Sequence, residues 1–460
     1  MTETSERTRT GRVIGVALVV VLALGVIALR SAGDSHATGP RGLVTNEDAA
    51  FAGYTLYSPL ELQRALLVDI EGNVVHDWET TTQPGLFQYL LEDGHLLRAG
   101  DLEQEGAFAA GQGAGGRIEE LDWDGNVVWQ LDYADDNVMQ HHDVEPLPNG
   151  NVLFVAWERK SGAEAIAAGR DPGLLPDDEM WPDTIIEYSP ATDEVVWQWS
   201  AWDHLVQDQD PTKANYGDVA DSPGKLDVNF ILAGNDGDAD WNHVNAVTYN
   251  ADRDEVMISS RSFSEIWVVD HDTTTTEAAG PVGDIAFRFG NPRAYQQGEE
   301  SDQTLFAQHD PRWIPEGSPG EGDITVFSNG LPEVRQFSSV EQIHPELAGD
   351  DYVLEDSEFA ATIDRVYPTD EPDPYFAAII SGAQRLANGN TMFVYGTTGR
   401  IIEIDDAGEI VWEYQNPYYA IHDDTPNASG AGFDIEAWWT FRALRYAPSY
   451  PGVAELTTRN

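Results

Sequence analysis

Eleven histidines are spread along 460 residues, and cysteine is absent. Without cysteine there is no disulfide, no thiolate nucleophile, no Cys-ligated zinc and no iron–sulfur cluster. Three of the histidines share a register. His142, His243 and His309 each precede, by the same interval, the residue that leads a strand-and-turn signal: Leu147, Thr248 and Ile314. Three imidazoles of this kind suit two chemistries. One is a three-histidine metal site. The other is metal-free work on an anion, with one ring as nucleophile and the others as donors or acid–base groups. The neighbours favour the second. Asn245 follows His243 by two, so strand alternation turns both to one side, and Arg261 closes the next run, Ser259-Ser260-Arg261. A guanidinium is repelled by a metal cation but forks onto a sulfate or phosphate. In two further repeats Ser381 and Phe441 take the register of the histidines.

The elements that must position these residues repeat along the chain. Leu91 to Leu97, Leu147 to Phe154 and Leu386 to Phe393 each carry an Asp-Gly or Asn-Gly turn between apolar residues. Such dipeptides are strong hairpin signals, and a two-residue hairpin needs positive φ at both turn positions. A second unit follows, as in Ile118 to Trp129, Ile185 to Trp199 and Ile402 to Tyr414, rich in β-branched and aromatic residues. Four strands recurring this way predict an all-β fold, a six-bladed β-propeller with blades beginning near Leu86, His142, His243, His309, Ser381 and Phe441. The last blade has one strand at the C-terminus. Its missing strands are expected at Tyr54–Tyr57, Ala65–Asp69 and Val74–Trp78, so that both chain ends close one blade and remove an exposed edge. First strands line the central channel, so the three histidine rings should meet at one of its mouths. His142, rather than His141, is assigned to the channel side. The long loops 158–184 and 205–241 are expected to cover the site.

Composition sets the surroundings. Hydrophobic residues make up 41% with 14 Trp, enough for a real core, while 80 Asp+Glu against 25 Lys+Arg give a net charge of −55. That excludes a nucleic-acid binder working through its net field. With Lys160, Lys213 and Lys225 the only lysines, the balance reads as an acidic surface suited to high salt, where the Debye length falls to about 3 Å at 1 M. At the N-terminus a basic tail, residues 1–12, precedes an uncharged run from Val13 to Leu29. It reads as an uncleaved transmembrane signal anchor, residues 13–29, with a linker at 30–48 and a propeller domain at 49–460 outside the cytoplasm.

The histidine segments resemble the arylsulfotransferase family, the sulfotransferases that use aryl sulfate esters instead of a nucleotide donor. The matching pieces are His141-His142-Asp143 before Leu147-Pro148-Asn149-Gly150; Asp240-Trp241-Asn242-His243-Val244-Asn245; Ser259-Ser260-Arg261; Gln308-His309-Asp310; and Ser381-Gly382-Ala383-Gln384-Arg385 through Gly399-Arg400. The resemblance implies a six-bladed propeller. It implies His309 as the nucleophile that carries a transient sulfuryl group, with His243, Asn245 and Arg261 holding sulfuryl oxygens, His142 as the remaining pocket histidine and Ser381 at the substrate. Bacterial members carry a disulfide that this chain lacks, which suggests an archaeal, salt-adapted branch. No cofactor and no metal are implied. The expected partners are an aryl sulfate donor, a phenolic acceptor and the membrane, with a homodimer left open. Two rival readings are a non-catalytic propeller that binds an anionic ligand and a metal-dependent hydrolase or lactonase. Arg385, Arg400 and Arg442 are expected mostly to pair with carboxylates, Tyr375-Phe376 to belong to the core, and Asp236 to Asp240 to form a solvated loop. The tryptophans that end the blades should pack between them.

Overall fold

The computed structural model describes residues 41–458 except 61, 104–105, 110, 176, 233–237, 333, 369–375 and 419–437. The expected anchor at 13–29 and Tyr375 lie outside these residues. Among the described residues no helix is long and apolar enough to cross a membrane.

Six antiparallel sheets, one per blade, are formed by the described residues. Blade 1 pairs the C-terminal strand Thr440–Tyr446, innermost, with Tyr54–Pro59, Arg64–Val68 and Val74–Glu79. Blade 2 runs from Gln83–Leu90 to Val127–Asp132, and blade 3 from Val138–Pro146 to Glu194–Ser200. Blade 4 runs from Val244–Asn250 to Phe287–Phe289. Blade 5 runs from His309–Trp313 to Ala361–Tyr367, and blade 6 from Gly382–Arg385 to Ile410–Gln415. The ring closes twice. Besides the shared blade 1, the strand Gly42–Asn46 adds itself to the outer edge of blade 6, pairing Leu43 with Tyr414 and Asn46 with Trp412. The linker expected at 30–48 is therefore too long: its end is a strand, because the free edge of blade 6 offers a ladder of unpaired backbone groups.

The hairpin turns differ from expectation in one detail. Gly94, Gly150 and Gly389 take φ of 88°, 84° and 97°, but Asp93, Asn149 and Asn388 before them do not enter the left-handed region. Their side chains explain it. Asp93, Asn149 and Asn388 each accept the backbone N–H two residues on, at 2.9–3.1 Å. That local bond holds a right-handed turn and leaves only the glycine with positive φ.

Tryptophans of the outer strands stitch blade to blade. Trp78 Nε1 donates to Asp122 O in blade 2, Trp199 Nε1 to Gly283 O beside blade 4, and Trp412 Nε1 to Ile70 O in blade 1. The apolar core lies between neighbouring sheets in this way, and the innermost strands are left to carry polar groups.

Those innermost strands are kinked at a common level. Register shifts interrupt the pairing of the inner strand in blades 1 to 5, and Leu86, His142, His243, Asp310 and Ser381 take φ of 93°, 54°, 44°, 55° and 90°. A bulge re-aims a side chain out of the regular alternation. Positive φ in such residues costs about 1–3 kcal/mol each and persists only where the surroundings enforce it.

The long loop after residue 158 folds back as a ribbon, Lys160–Ser161 with Glu179–Met180, capped by the short helix Gly162–Ala167. Trp181 then bridges Asp240. The loops lead into Asp183, the first residue of the strand Asp183–Ser189, and into Asp240, and so bring both beside the histidines.

Candidate active site

The three in-register histidines come together. The rings of His142 and His243 pack edge to face with centroids 4.7 Å apart, and His309 and His142 lie 6.3 and 6.2 Å from the ring of Phe441. All three are nearly fully buried. Each is held from behind through Nδ1, and no described residue bonds to Nε2.

For His309 the holding groups fix the tautomer. Its Nδ1 lies 2.7 Å from Asn329 Oδ1 and 3.2 Å from Ala307 O. Asn329 Nδ2 donates to the carbonyls of Ala377 and Ile380, both at 2.7 Å, so its oxygen must face His309. Two acceptors require an N–H at Nδ1, which leaves the lone pair on Nε2. Burial, together with the charges of Arg261 and Arg442, pushes the His309 pKa well below the usual imidazole value of 6.5. The ring is neutral and nucleophilic at neutral pH.

His243 is held by a carboxylate. Its Nδ1 is 2.5 Å from Asp240 Oδ2, and Asp240 Oδ1 accepts Trp157 Nε1–H at 3.0 Å. Asp240, expected in a solvated loop, is instead a partner of the site. His142 Nδ1 lies 2.7 Å from His141 Nδ1, and His141 Nε2 lies 2.6 Å from Asp183 Oδ1. His141 stacks flat on Trp157 at 4.0 Å and stands edge-on to His142 with ring centroids 5.0 Å apart. Burial and then the neighbouring His243 push both His141 and His142 well below 6.5.

Arg261 follows from the same loop geometry. Its backbone N–H donates to His243 O at 3.1 Å. Its guanidinium makes no hydrogen bond or ion pair with any described residue; burial disfavours its charge and Asp240 opposes that. A buried guanidinium beside His309 with no partner among the described residues has the donor geometry that forks onto an anion.

Asn245 donates Nδ2–H to Gln308 O at 2.8 Å, so it buttresses the residue before His309 and has one N–H left for a ligand. Ser381 sits in register, but its oxygen accepts the Gly396 N–H at 3.0 Å and its backbone N–H donates to Phe441 O. Neither residue bonds to a histidine.

Several functional residues escape the sequence reading. Asn329 and Asp183 carry no pattern that marks them. Arg442 does more than pair with a carboxylate: it reaches Asp143 in blade 3 (2.8 Å), Asp310 in blade 5 (3.3 Å) and the Asn245 carbonyl in blade 4, while lying over Phe441 and Phe87. The repeated His-Asp pairs His142-Asp143 and His309-Asp310 were a readable sign of it. Arg385 and Arg400 bond elsewhere, to Gln342 and Glu413. Gly113, at φ 85°, presses on His142 so closely that a Cβ would meet the ring at 2.3 Å. Its signal lay in the glycine-rich stretch 111–116.

The likenesses to solved structures are loose. A protein of unknown function from Bacteroides caccae is 10% identical over 86% of this chain and 99% of its own, with a TM-score of 0.44. A streptogramin B lyase is 11% identical over 90% and 95%, with a TM-score of 0.39. A virginiamycin B lyase from Staphylococcus aureus is 10% identical over 84% and 86%, at 0.38. Likenesses of this size carry no argument about activity. No curated protein matches the chain. The family model described as Arylsulfotransferase (ASST) matches residues 58–402, which takes in His142, His243, Asn245, Arg261, His309 and Ser381, and the chain belongs to that family.

Proposed function

We propose that this protein transfers a sulfuryl group from an aryl sulfate ester to a phenolic acceptor, without a nucleotide donor, through a sulfohistidine at His309. The observation that carries the reading is the set of three imidazoles held by Nδ1 with Nε2 free, beside an unpaired Arg261. In the first half-reaction His309 Nε2 attacks sulfur, the N–S bond forms, and the S–O bond to the phenol breaks. Arg261 and the remaining Asn245 N–H stabilise the charge on the sulfuryl oxygens; one such donor is typically worth about 10²–10³ in rate. In the second half-reaction the acceptor oxygen attacks sulfur, its proton passes to a pocket base, and His309 leaves neutral. Acid–base help of this kind is worth about 10²–10⁴. Arg261 and Arg442 among the rings oppose a bound dication and so disfavour the metal-hydrolase alternative. The same proposal places the domain outside the cytoplasm behind the run Val13 to Leu29.

The test is 4-nitrophenyl sulfate with a phenol, in high salt and without added nucleotide. Ping-pong kinetics and one sulfuryl group on the peptide holding His309 are expected. His309→Ala should lose on the order of 10⁴–10⁶ in turnover, the scale of a removed nucleophile. Full activity in that variant would sink the assignment.

A further inference from the structure

Behind His142 stands a chain of groups that the transfer reaction as written does not use. Asp183 opens the second outward run of blade 3, opposite Trp157, and is completely buried. Its Oδ2 accepts the Val244 N–H at 2.8 Å, and its Oδ1 meets His141 Nε2. His141 Nδ1 meets His142 Nδ1. The line from carboxyl to pocket is therefore continuous, and it has two consistent arrangements of protons. With Asp183 ionised, His141 donates from Nε2, His142 donates from Nδ1 to His141, and His142 Nε2 is bare. With Asp183 protonated, the carboxyl donates to His141 Nε2, His141 donates from Nδ1 to His142, and His142 carries its proton at Nε2. The two arrangements differ by one proton, and neither contains an imidazolium.

We propose that Asp183, His141 and His142 form a proton wire that serves both halves of the reaction, His142 at the pocket and Asp183 and His141 as positioning residues behind it. The inference rests on the sulfuryl-transfer reading above. When the donor phenolate leaves, the His142 Nε2–H bond breaks and an O–H bond forms on the phenol; the His141 Nδ1 proton moves to His142 Nδ1, the carboxyl proton moves to His141 Nε2, and Asp183 becomes an anion. When the acceptor attacks, its O–H bond breaks, the proton enters at His142 Nε2, each inner proton steps back, and Asp183 is neutral again. The proton gained in one half equals the proton given in the other.

The surroundings favour storage at the carboxyl over storage on a ring. His142 faces His141, His243, His309 and Arg442, which with burial hold its pKa well below 6.5. Asp183 faces His141, the Val244 N–H and Asp240, and burial followed by the Asp240 charge pushes its pKa well up. Asp240 itself meets His243 Nδ1 and accepts the Trp157 Nε1–H. Two neighbouring carboxylates do not readily both ionise in a dry site, and Asp183, fully buried with the Asp240 charge beside it, is the one that keeps the proton.

Asp183→Asn tests the wire. The Val244 N–H can only donate, so the amide must turn its oxygen there and its NH₂ to His141 Nε2. That locks His142 with a proton at Nε2. Histidine ¹⁵N NMR, assigned through His142→Phe, reads this without any activity. The wild-type chain should pass from Nδ1–H to Nε2–H at His142 on acidification without an imidazolium signal, and D183N should stay at Nε2–H throughout. An imidazolium at His142 in the wild type, or the same titration in both proteins, would overturn the wire. With 4-nitrophenyl sulfate, D183N should keep the burst of nitrophenolate and lose about 10²–10⁴ in steady turnover, because the acceptor proton has nowhere to go. His141→Phe keeps the stack on Trp157 and should lose turnover likewise. If D183N turned over as fast as the wild-type chain, the proposal would fail. No burst from the wild-type chain would instead defeat the sulfuryl-transfer reading, and the NMR result would still decide the wire.

Discussion

Blades 3, 4 and 5 and blades 6, 1 and 2 present the same inner-strand level to the channel mouth in opposite chemistry. On the first side stand His142, His243 and His309; on the second, Ser381, Phe441 and Leu86. Both sides hold residues in the left-handed region, Leu86 at φ 93° and Ser381 at φ 90° as well as His142 and His243. The kink is thus a property of the ring, not of the histidines. What sets one side apart is the row behind it: Asp183, Asp240 and Asn329 each hold an imidazole by one nitrogen. Around the other side lies an apolar cluster that joins Leu60, Phe87, Ile380 and Phe441 with Leu86 and Trp439 and reaches into blade 3 through Val144 and Phe154. On the proposed reading the first half receives the sulfuryl group and the second the aromatic ring.

The largest effect that would sharpen this contrast is at Arg261. Removing its fork in Arg261→Ala should lower kcat/KM by about 10²–10³, the worth of one preorganised donor. Arg261→Lys should recover little of it, since an ammonium offers a point charge in place of a planar fork. Ser381→Ala, on the opposite side, should cost far less, because the Ser381 oxygen is held by the Gly396 N–H. Equal losses at Arg261 and Ser381 would erase the division between the two halves.

Phe441→Leu probes the apolar half. It roughly keeps the volume but removes the ring that faces His142 and His309. Aromatic contacts are worth about 0.5–1.5 kcal/mol beyond area, so KM for an aryl sulfate should rise several-fold. A loss of kcat at saturating donor would instead place Phe441 among the groups that orient His309.

The half of this arrangement that the sequence made legible is the half written in register. Turn dipeptides and alternating strands mark the blades, and His142, His243 and His309 fall at one step of the repeat. The row behind them is not in register. Asn329 follows the end of a second strand, Asp183 follows a long loop, and Asp240 sits in an acidic stretch where a carboxylate attracts no notice among eighty. Their roles arise from loop paths that bring Trp181 beside Asp240 and Asp183 beside Val244. Nothing local in the chain encodes such paths. Gly42–Asn46 escaped for the same reason: only the edge of blade 6 makes a strand of it. Arg442 was visible as a residue, but its bond to two acidic residues required the channel to be closed first.

Proton linkage gives the smallest effect and compares a histidine of the site with one of the scaffold. His142 has its folded pKa lowered, so below the unfolded value of about 6.5 the unfolded chain binds a proton that the folded chain refuses, and stability falls with pH. His271 is opposite. Burial lowers its pKa, but bonds to Glu187 and Asp254 outweigh that and raise it above 6.5. Its contribution is fully present below the unfolded value and is lost as pH rises through the folded one. His142→Gln should therefore gain stability relative to the wild type as pH drops below 6.5, by at most about 1.4 kcal/mol per pH unit. His271→Gln should be most damaging in acid and progressively less so as pH rises above 6.5. Urea midpoints across this range read both slopes. Parallel slopes for the two variants would mean that the pocket ring is as free to charge as the scaffold ring, and a neutral imidazole at the site would no longer follow from its burial.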